Sequence, residues 1–112
     1  MNFAVINDVA YFAGYTDQSG KEPWRSDGTA AGTWMIDDVS RNFSGNPSGF
    51  TLSGGYIYFS ARGTQTGLIR RTNGAGSRLI GESVELLIQA GQNFVDSDGT
   101  LFYVSGRRFG RL

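Results

Sequence analysis

Three stretches of this chain align on one another without a gap. Phe3-Ala-Val-Ile-Asn-Asp-Val-Ala-Tyr-Phe-Ala, Phe50-Thr-Leu-Ser-Gly-Gly-Tyr-Ile-Tyr-Phe-Ser and Phe94-Val-Asp-Ser-Asp-Gly-Thr-Leu-Phe-Tyr-Val start 47 and then 44 residues apart. A period of that size marks a repeat architecture, in which each unit is one supersecondary motif that needs its neighbours to cover its apolar surface. Each copy reads as a short apolar run, a two-residue turn and an aromatic-rich run. The turn positions, Asn7-Asp8, Gly54-Gly55 and Asp98-Gly99, hold residues that tolerate φ > 0. They suit a type I′ turn, so each copy is expected to open with a β-hairpin.

A second hairpin follows in each complete copy. Residues Gly20 to Ser26 lead into Asp27-Gly28 and then Thr33 to Ile36, while Gly67 to Thr72 lead into Asn73-Gly74 and then Arg78 to Ile80. In the third copy, Gly110-Arg111-Leu112 aligns with Gly20-Lys21-Glu22, which is only the beginning of a third strand. Along the second strand neither face reads as the polar one: Val9 and Tyr11 oppose Ala10 and Phe12, Tyr56 and Tyr58 oppose Ile57 and Phe59, and Thr100, Phe102 and Val104 oppose Leu101 and Tyr103. A strand apolar on both faces must be covered on both. The expected fold is therefore all-β, with β-propeller-type blades of four antiparallel strands, about two and a half of them, in an incomplete propeller. Blade 1 covers about residues 3–40, blade 2 about 50–84 and a partial blade 3 about 94–112, with Ser40 to Gly49 as a loop and Glu85 to Asn93 as a strand extension or one helical turn. An ordinary β-sandwich is the alternative. Val9–Ala13, Tyr56–Ala61 and Leu101–Val104 are expected to be the most buried segments.

Composition agrees with this reading. Seventeen glycines against two prolines, with 13% aromatic and 39% apolar residues in a chain of 112, describe a turn-dense β protein and not a disordered one. The chain has no histidine and no cysteine, so imidazole bases, thiolate nucleophiles, disulfides and thiolate metal sites are all excluded. Zero net charge argues against broad phosphate neutralisation and hence against nucleic-acid binding. Charge is unevenly spread: residues 1–40 carry a net −4 and the remainder +4, which favours head-to-tail contact between modules. No run reaches the ~20 apolar residues of a membrane-spanning helix.

The run Glu22-Pro23-Trp24, Ser26-Asp27-Gly28-Thr29, Gly32-Thr33, followed by Ile36-Asp37-Asp38-Val39 and by Phe50-Thr51 and Gly54 to Ala61, resembles the ELWxxDGT repeat of large secreted bacterial proteins. The likeness covers residues 3 to 61. Within them Pro23 replaces the Leu of the motif; beyond them Asn73-Gly74-Ala75 stands where Asp-Gly-Thr would, and no Trp lies near Arg70 or Arg71. The resemblance implies propeller-like blades in an exported or cell-surface protein, whose export signal is expected to lie outside this chain. It implies no catalytic activity and no cofactor.

Candidate site residues each carry two readings. Trp24 and Trp34 are sugar-stacking platforms or fillers of the core between sheets, and Asp27 and Thr29 present polar groups to a ligand or build a turn. Asp96-Ser97-Asp98-Gly99 echoes the start of a calcium loop but lacks the later acid such a loop requires, so no metal is expected. Arg107, Arg108, Phe109 and Arg111 read as a charged strand edge or a junction with another chain that completes the third blade. Asp37 and Asp38 are adjacent on an expected strand and point apart, so no pair of carboxylates is placed to share a substrate. The functional expectation is a non-catalytic scaffold or protein-interaction module. A glycan-binding module is the alternative, and a carboxylate-dependent glycoside hydrolase fragment the third.

Overall fold

A computed structural model of the chain describes residues 3–40, 44–62, 67–83, 93–97, 100–105 and 108–111. Among these residues there are eleven strands and no helix. β1 (Phe3–Ile6), β2 (Val9–Thr16), β3 (Gly20–Ser26) and β4 (Thr33–Met35) form one antiparallel meander. β5 (Ser48–Ser53), β6 (Tyr56–Arg62), β7 (Gly67–Thr72) and β8 (Ser77–Ser83) form a second, and β9 (Asn93–Ser97), β10 (Thr100–Ser105) and β11 (Arg108–Arg111) a three-stranded third. The sheets remain separate, and none closes on itself. The segment from Glu85 to Gln92, where an extension or helical turn was expected, lies outside the described residues.

The opening hairpins carry the backbone that their turn residues dictate. Asn7 and Asp8 sit at φ 52° and 66°, and Gly54 and Gly55 at 57° and 85°, the sign a type I′ turn requires at both central positions. The turn at Asp98-Gly99 lies outside the described residues. Register matches next to the turns: Phe3 faces Phe12 and Phe94 faces Tyr103, and in the second copy Thr51 faces Tyr58 as Ala4 faces Tyr11, before the register shifts between Thr51 and Ser48; the Phe50 and Phe59 rings lie 5.3 Å apart.

Between second and third strands the register corrects one expectation. Gly110 does not take the place of Gly20: it stands opposite Tyr103, as Trp24 stands opposite Phe12 and Arg70 opposite Phe59. The reason is hairpin length. β2 runs on to Thr16 opposite Gly20, whereas β10 turns back after Ser105, which pairs with Arg108. Arg25, Arg71 and Arg111 thereby occupy equivalent positions, opposite Tyr11, Tyr58 and Phe102. The third sheet thus has a nearly complete third strand, and what it lacks among the described residues is a fourth.

The first two sheets pack face to face around Tyr11, Ile36, Phe50, Ile57, Phe59, Ala61 and Leu68, with Ala4, Ile6, Val9 and Val39 against them. The two sheets contribute different faces. Sheet 1 presents the side of β2 that carries Tyr11, and sheet 2 presents the side of β6 that carries Phe59, whose counterpart in sheet 1 is Phe12 on the opposite side. Unlike faces therefore meet, and the first strands of successive sheets adjoin, β1 beside β5 and β5 beside β9. From Ile57 to Ala61 every residue of β6 is buried, as its two-sided apolar pattern predicts. β2 departs from expectation: only Tyr11 is fully buried, and Val9, Ala10, Phe12 and Ala13 are half-buried. The Phe12 side of β2 faces away from sheet 2, which leaves it in partial contact with water, and Val5 on that side is 65% exposed. For Leu101–Val104 only the backbone is described.

Because Phe59 has no exposed surface, Phe59→Ala is expected to cost about 3–5 kcal/mol in urea unfolding. Phe12→Ala is expected to cost roughly 1–2 kcal/mol, in line with half the burial. Equal losses would mean that the outer face of sheet 1 is covered as fully as β6.

Candidate functional site

The sequence candidates converge on the β3–β4 connection, which is a six-residue loop, 27–32, and not a two-residue turn at Asp27-Gly28, since Ser26 pairs directly with Thr33. Its shape comes from side chains that bond their own backbone. Asp27 Oδ1 accepts from the Thr29 amide at 3.0 Å and the Thr29 hydroxyl at 2.6 Å. Thr29 Oγ1 accepts from the Gly32 amide at 2.9 Å, and Ser26 Oγ from the Gly28 amide at 3.0 Å. The hydrogen bonds of the Thr29 hydroxyl and then its amide, with Arg25 at 3.8 Å, hold the Asp27 carboxyl below its ordinary range. A Cβ on Gly32 would sit 2.0 Å from that carboxylate, so the loop closes around Asp27. Asp27 and Thr29 are consumed in building the turn.

The β7–β8 turn repeats the arrangement with different side chains. Asn73 Oδ1 accepts from the Ala75 amide at 3.1 Å, and Thr72 Oγ1 accepts from the Gly74 amide at 2.8 Å and donates to the Gly76 carbonyl at 2.5 Å. With Ala75 where Thr29 stands, the hydroxyl clamp moves to Thr72.

The two tryptophans have different surroundings. Trp24 is half-buried and lies across Gly14, where a Cβ would come within 2.5 Å of the indole, and its Nε1 is buried with no hydrogen-bond partner among the described residues. Trp34 faces sheet 2: the Arg25 guanidinium stacks 4.2 Å over its ring, and Nε1 donates to the Gly74 carbonyl at 2.9 Å. Asp37 makes the neighbouring bridge, accepting from Ser77 Oγ at 2.6 Å and from Arg70 Nη2 at 3.4 Å. Asp37 and Asp38 are not on a strand, as the sequence suggested. β4 stops at Met35 because Ile36, after one last bond from its amide to the Pro23 carbonyl, turns its side chain into the core.

Of the junction candidates, Arg107 lies outside the described residues. Arg108, Phe109 and Arg111 lie on β11, which pairs with β10 along one edge and with no described strand along the other. Asp96 lies on β9 and Asp98 outside the described residues.

Glu22 is the residue that sequence reasoning passed over. It is fully buried, and its carboxylate collects the amides of Val39 at 2.9 Å, Ser40 at 3.4 Å and Gly45 at 3.2 Å. These bonds fold the segment joining sheets 1 and 2 back onto β3, helped by the Gly45 amide on the Lys21 carbonyl and by Ser40 Oγ on the Arg62 carbonyl. Burial, opposed by the three amides and reinforced by Asp38, pushes the Glu22 carboxyl up to about 7. The register offered a signal: Glu22 faces Gly14 where the second copy has Leu68 facing Ala61, so an acid occupies an otherwise apolar position.

Comparison of the chain with family models, with curated proteins and with solved structures finds no match.

Two outcomes are expected. The native protein holds a proton on Glu22 that the unfolded chain releases near 4.5. The contribution of Glu22 to stability is therefore fully present below about 4.5 and is lost, by about 3 kcal/mol, as pH rises through the window from 4.5 to 7. Urea midpoints across that range should trace the decline, and Glu22→Gln should flatten it; a midpoint that rises with pH instead would mean that the three amides outweigh burial. Separately, Trp34→Phe removes the donor to Gly74 and is expected to lower stability by about 1 kcal/mol in thermal unfolding.

Proposed function

We propose that this chain is a non-catalytic repeat module, a stack of propeller-like blades that serves as a scaffold or protein-interaction unit in a larger assembly. One observation carries the reading. Sheet 2 covers the Tyr11 face of sheet 1 with its Phe59 face, and the equivalent Phe12 face of sheet 1 remains half-exposed beside Val5. Contacts between unlike faces propagate instead of closing pairwise, which is how blades add to one another. The likeness of residues 3 to 61 to the ELWxxDGT repeat supports a place outside the cell or on its surface, in a bacterial protein. The edge of β11 that no described strand pairs with supports a polypeptide partner that adds a fourth strand to the third sheet, with Arg108, Phe109 and Arg111 at the junction.

The other readings draw less support from these residues. For glycan binding at Trp24 and Trp34, one ring packs over Gly14 and the other is capped by Arg25. For a hydrolase, Asp37 is engaged by Ser77 and Arg70.

Sedimentation velocity tests the proposal. The chain is expected to associate with rising concentration, and Val5→Lys, a change at an exposed position on the free face, to suppress that association without altering the melting transition. A cooperatively folded monomer at every concentration would count against a stacking module.

A further inference from the structure

Beyond the stacking role, we infer that sheet 2 carries a binding site for a carboxylate, formed by Arg71, Arg78 and Asn73 beside Tyr56. These residues, with Gly76 and Ser77, line an open pocket of about 290 Å³, large enough for a single sugar or amino-acid unit.

The comparison of the two copies carries the inference. In sheet 1 the corresponding arginine is neutralised within the sheet: Arg25 faces Trp34 across the strand pair, stacks on its ring, bonds the Gly32 carbonyl through Nε and Nη2, and has Asp27 at 3.8 Å. In sheet 2 both relieving groups are exchanged. Trp34 becomes Arg78, directly opposite Arg71, and Asp27 becomes Asn73. Two like charges facing each other across a strand pair destabilise a sheet, and among the described residues no carboxylate forms an ion pair with either arginine. An anion seated between them removes that repulsion.

The lining also selects the chemistry. Arg71 is held flat, 4.1 Å over the Tyr56 ring, with Nη1 on the Tyr58 hydroxyl at 3.4 Å, so the guanidinium is fixed before any ligand arrives. Asn73 uses its oxygen on the Ala75 amide, which leaves its NH₂ for a ligand. Ser77 Oγ and Thr72 Oγ1 are already committed to Asp37, Arg70, Gly74 and Gly76. Apart from the Tyr56 hydroxyl, which can donate or accept, the side-chain groups that remain on Arg71, Arg78 and Asn73 are donors, so a ligand that engages them is an acceptor. On the equivalent surface of sheet 1 the partners are planar oxygens, the Asp27 carboxylate at Arg25 and the Gly74 carbonyl at Trp34. A carboxylate fits the forked donors of two arginines in the same way.

Titration of the ¹⁵N-labelled chain, read at the Arg71 and Arg78 Nε resonances, tests the site. Glucuronate and N-acetylglutamate methylamide are expected to give saturable shifts, and whichever binds tighter identifies an acidic sugar or an acidic side chain as the source of the carboxylate. Arg78→Gln, at an exposed position, should weaken both by about tenfold or more, whereas Arg62→Gln, an equal loss of charge at another exposed position, should leave them unchanged. Asn73→Asp places a carboxylate where sheet 1 has Asp27 and should abolish binding while the amide spectrum keeps its native dispersion. The inference is overturned by any of four results: no saturation with either carboxylate, equal shifts with neutral glucose, tighter binding of inorganic phosphate than of both carboxylates, or full binding by the Arg78→Gln and Asn73→Asp variants.

Discussion

Phe59 is removed from water completely, and that requirement organises the molecule. Its strand is apolar toward both sides, and a sheet of four short strands cannot shield both by itself. Sheet 1 supplies the cover on one side through Tyr11, Val9 and Ile6. Because the copies share one register, the covering relation is directional: the face that sheet 2 turns toward sheet 1 is the same face that sheet 1 turns away. Sheet 1 therefore keeps outward the Phe12 face, whose counterpart in sheet 2 is buried.

Stacking apolar faces sets the partner but not the distance along the strands. That alignment comes from polar contacts at the margin of the interface. Trp34 reaches the Gly74 carbonyl, Asp37 reaches Ser77 and Arg70, and the connecting segment is held down on Glu22. Glu22 has the largest consequence of these. A fully buried carboxyl group with no cation bonded to it among the described residues is tolerated because three amides meet it; without it the Val39 and Ser40 amides would lose this acceptor, while Gly45 would keep the Lys21 carbonyl. Its raised pKa ties the geometry between two sheets to the proton concentration.

Repetition also lets one copy act as a reference for the other. The turn frame, an oxygen at its first residue bonded to the amide two residues on, is common to Asp27 and Asn73. Once the frame is kept, individual side chains are free to diverge. Sheet 1 uses its arginine internally on Trp34, Gly32 and Asp27, while sheet 2 sets a half-buried Arg71 opposite an exposed Arg78 on the same platform.

What the sequence determined alone is what depends on near neighbours. The pairs Asn7-Asp8 and Gly54-Gly55 set the sign of φ, and the pattern of two runs around each pair set the first hairpins, because turn strain and period-two alternation act within a few residues. The four-stranded unit was legible for the same reason. The tertiary structure decided everything that rests on distant partners. The place of Gly110 depended on how soon β10 turned back, and the half-burial of Phe12 on which face of sheet 1 met sheet 2. Among the site residues, Asp27 and Thr29 could be read as turn builders from their local spacing. Trp34 could not be assigned to Gly74, forty residues away, nor Glu22 to the amides of Val39 and Gly45. A side chain's type states what it can bond, and only the packing of sheet on sheet brings it within reach of a partner.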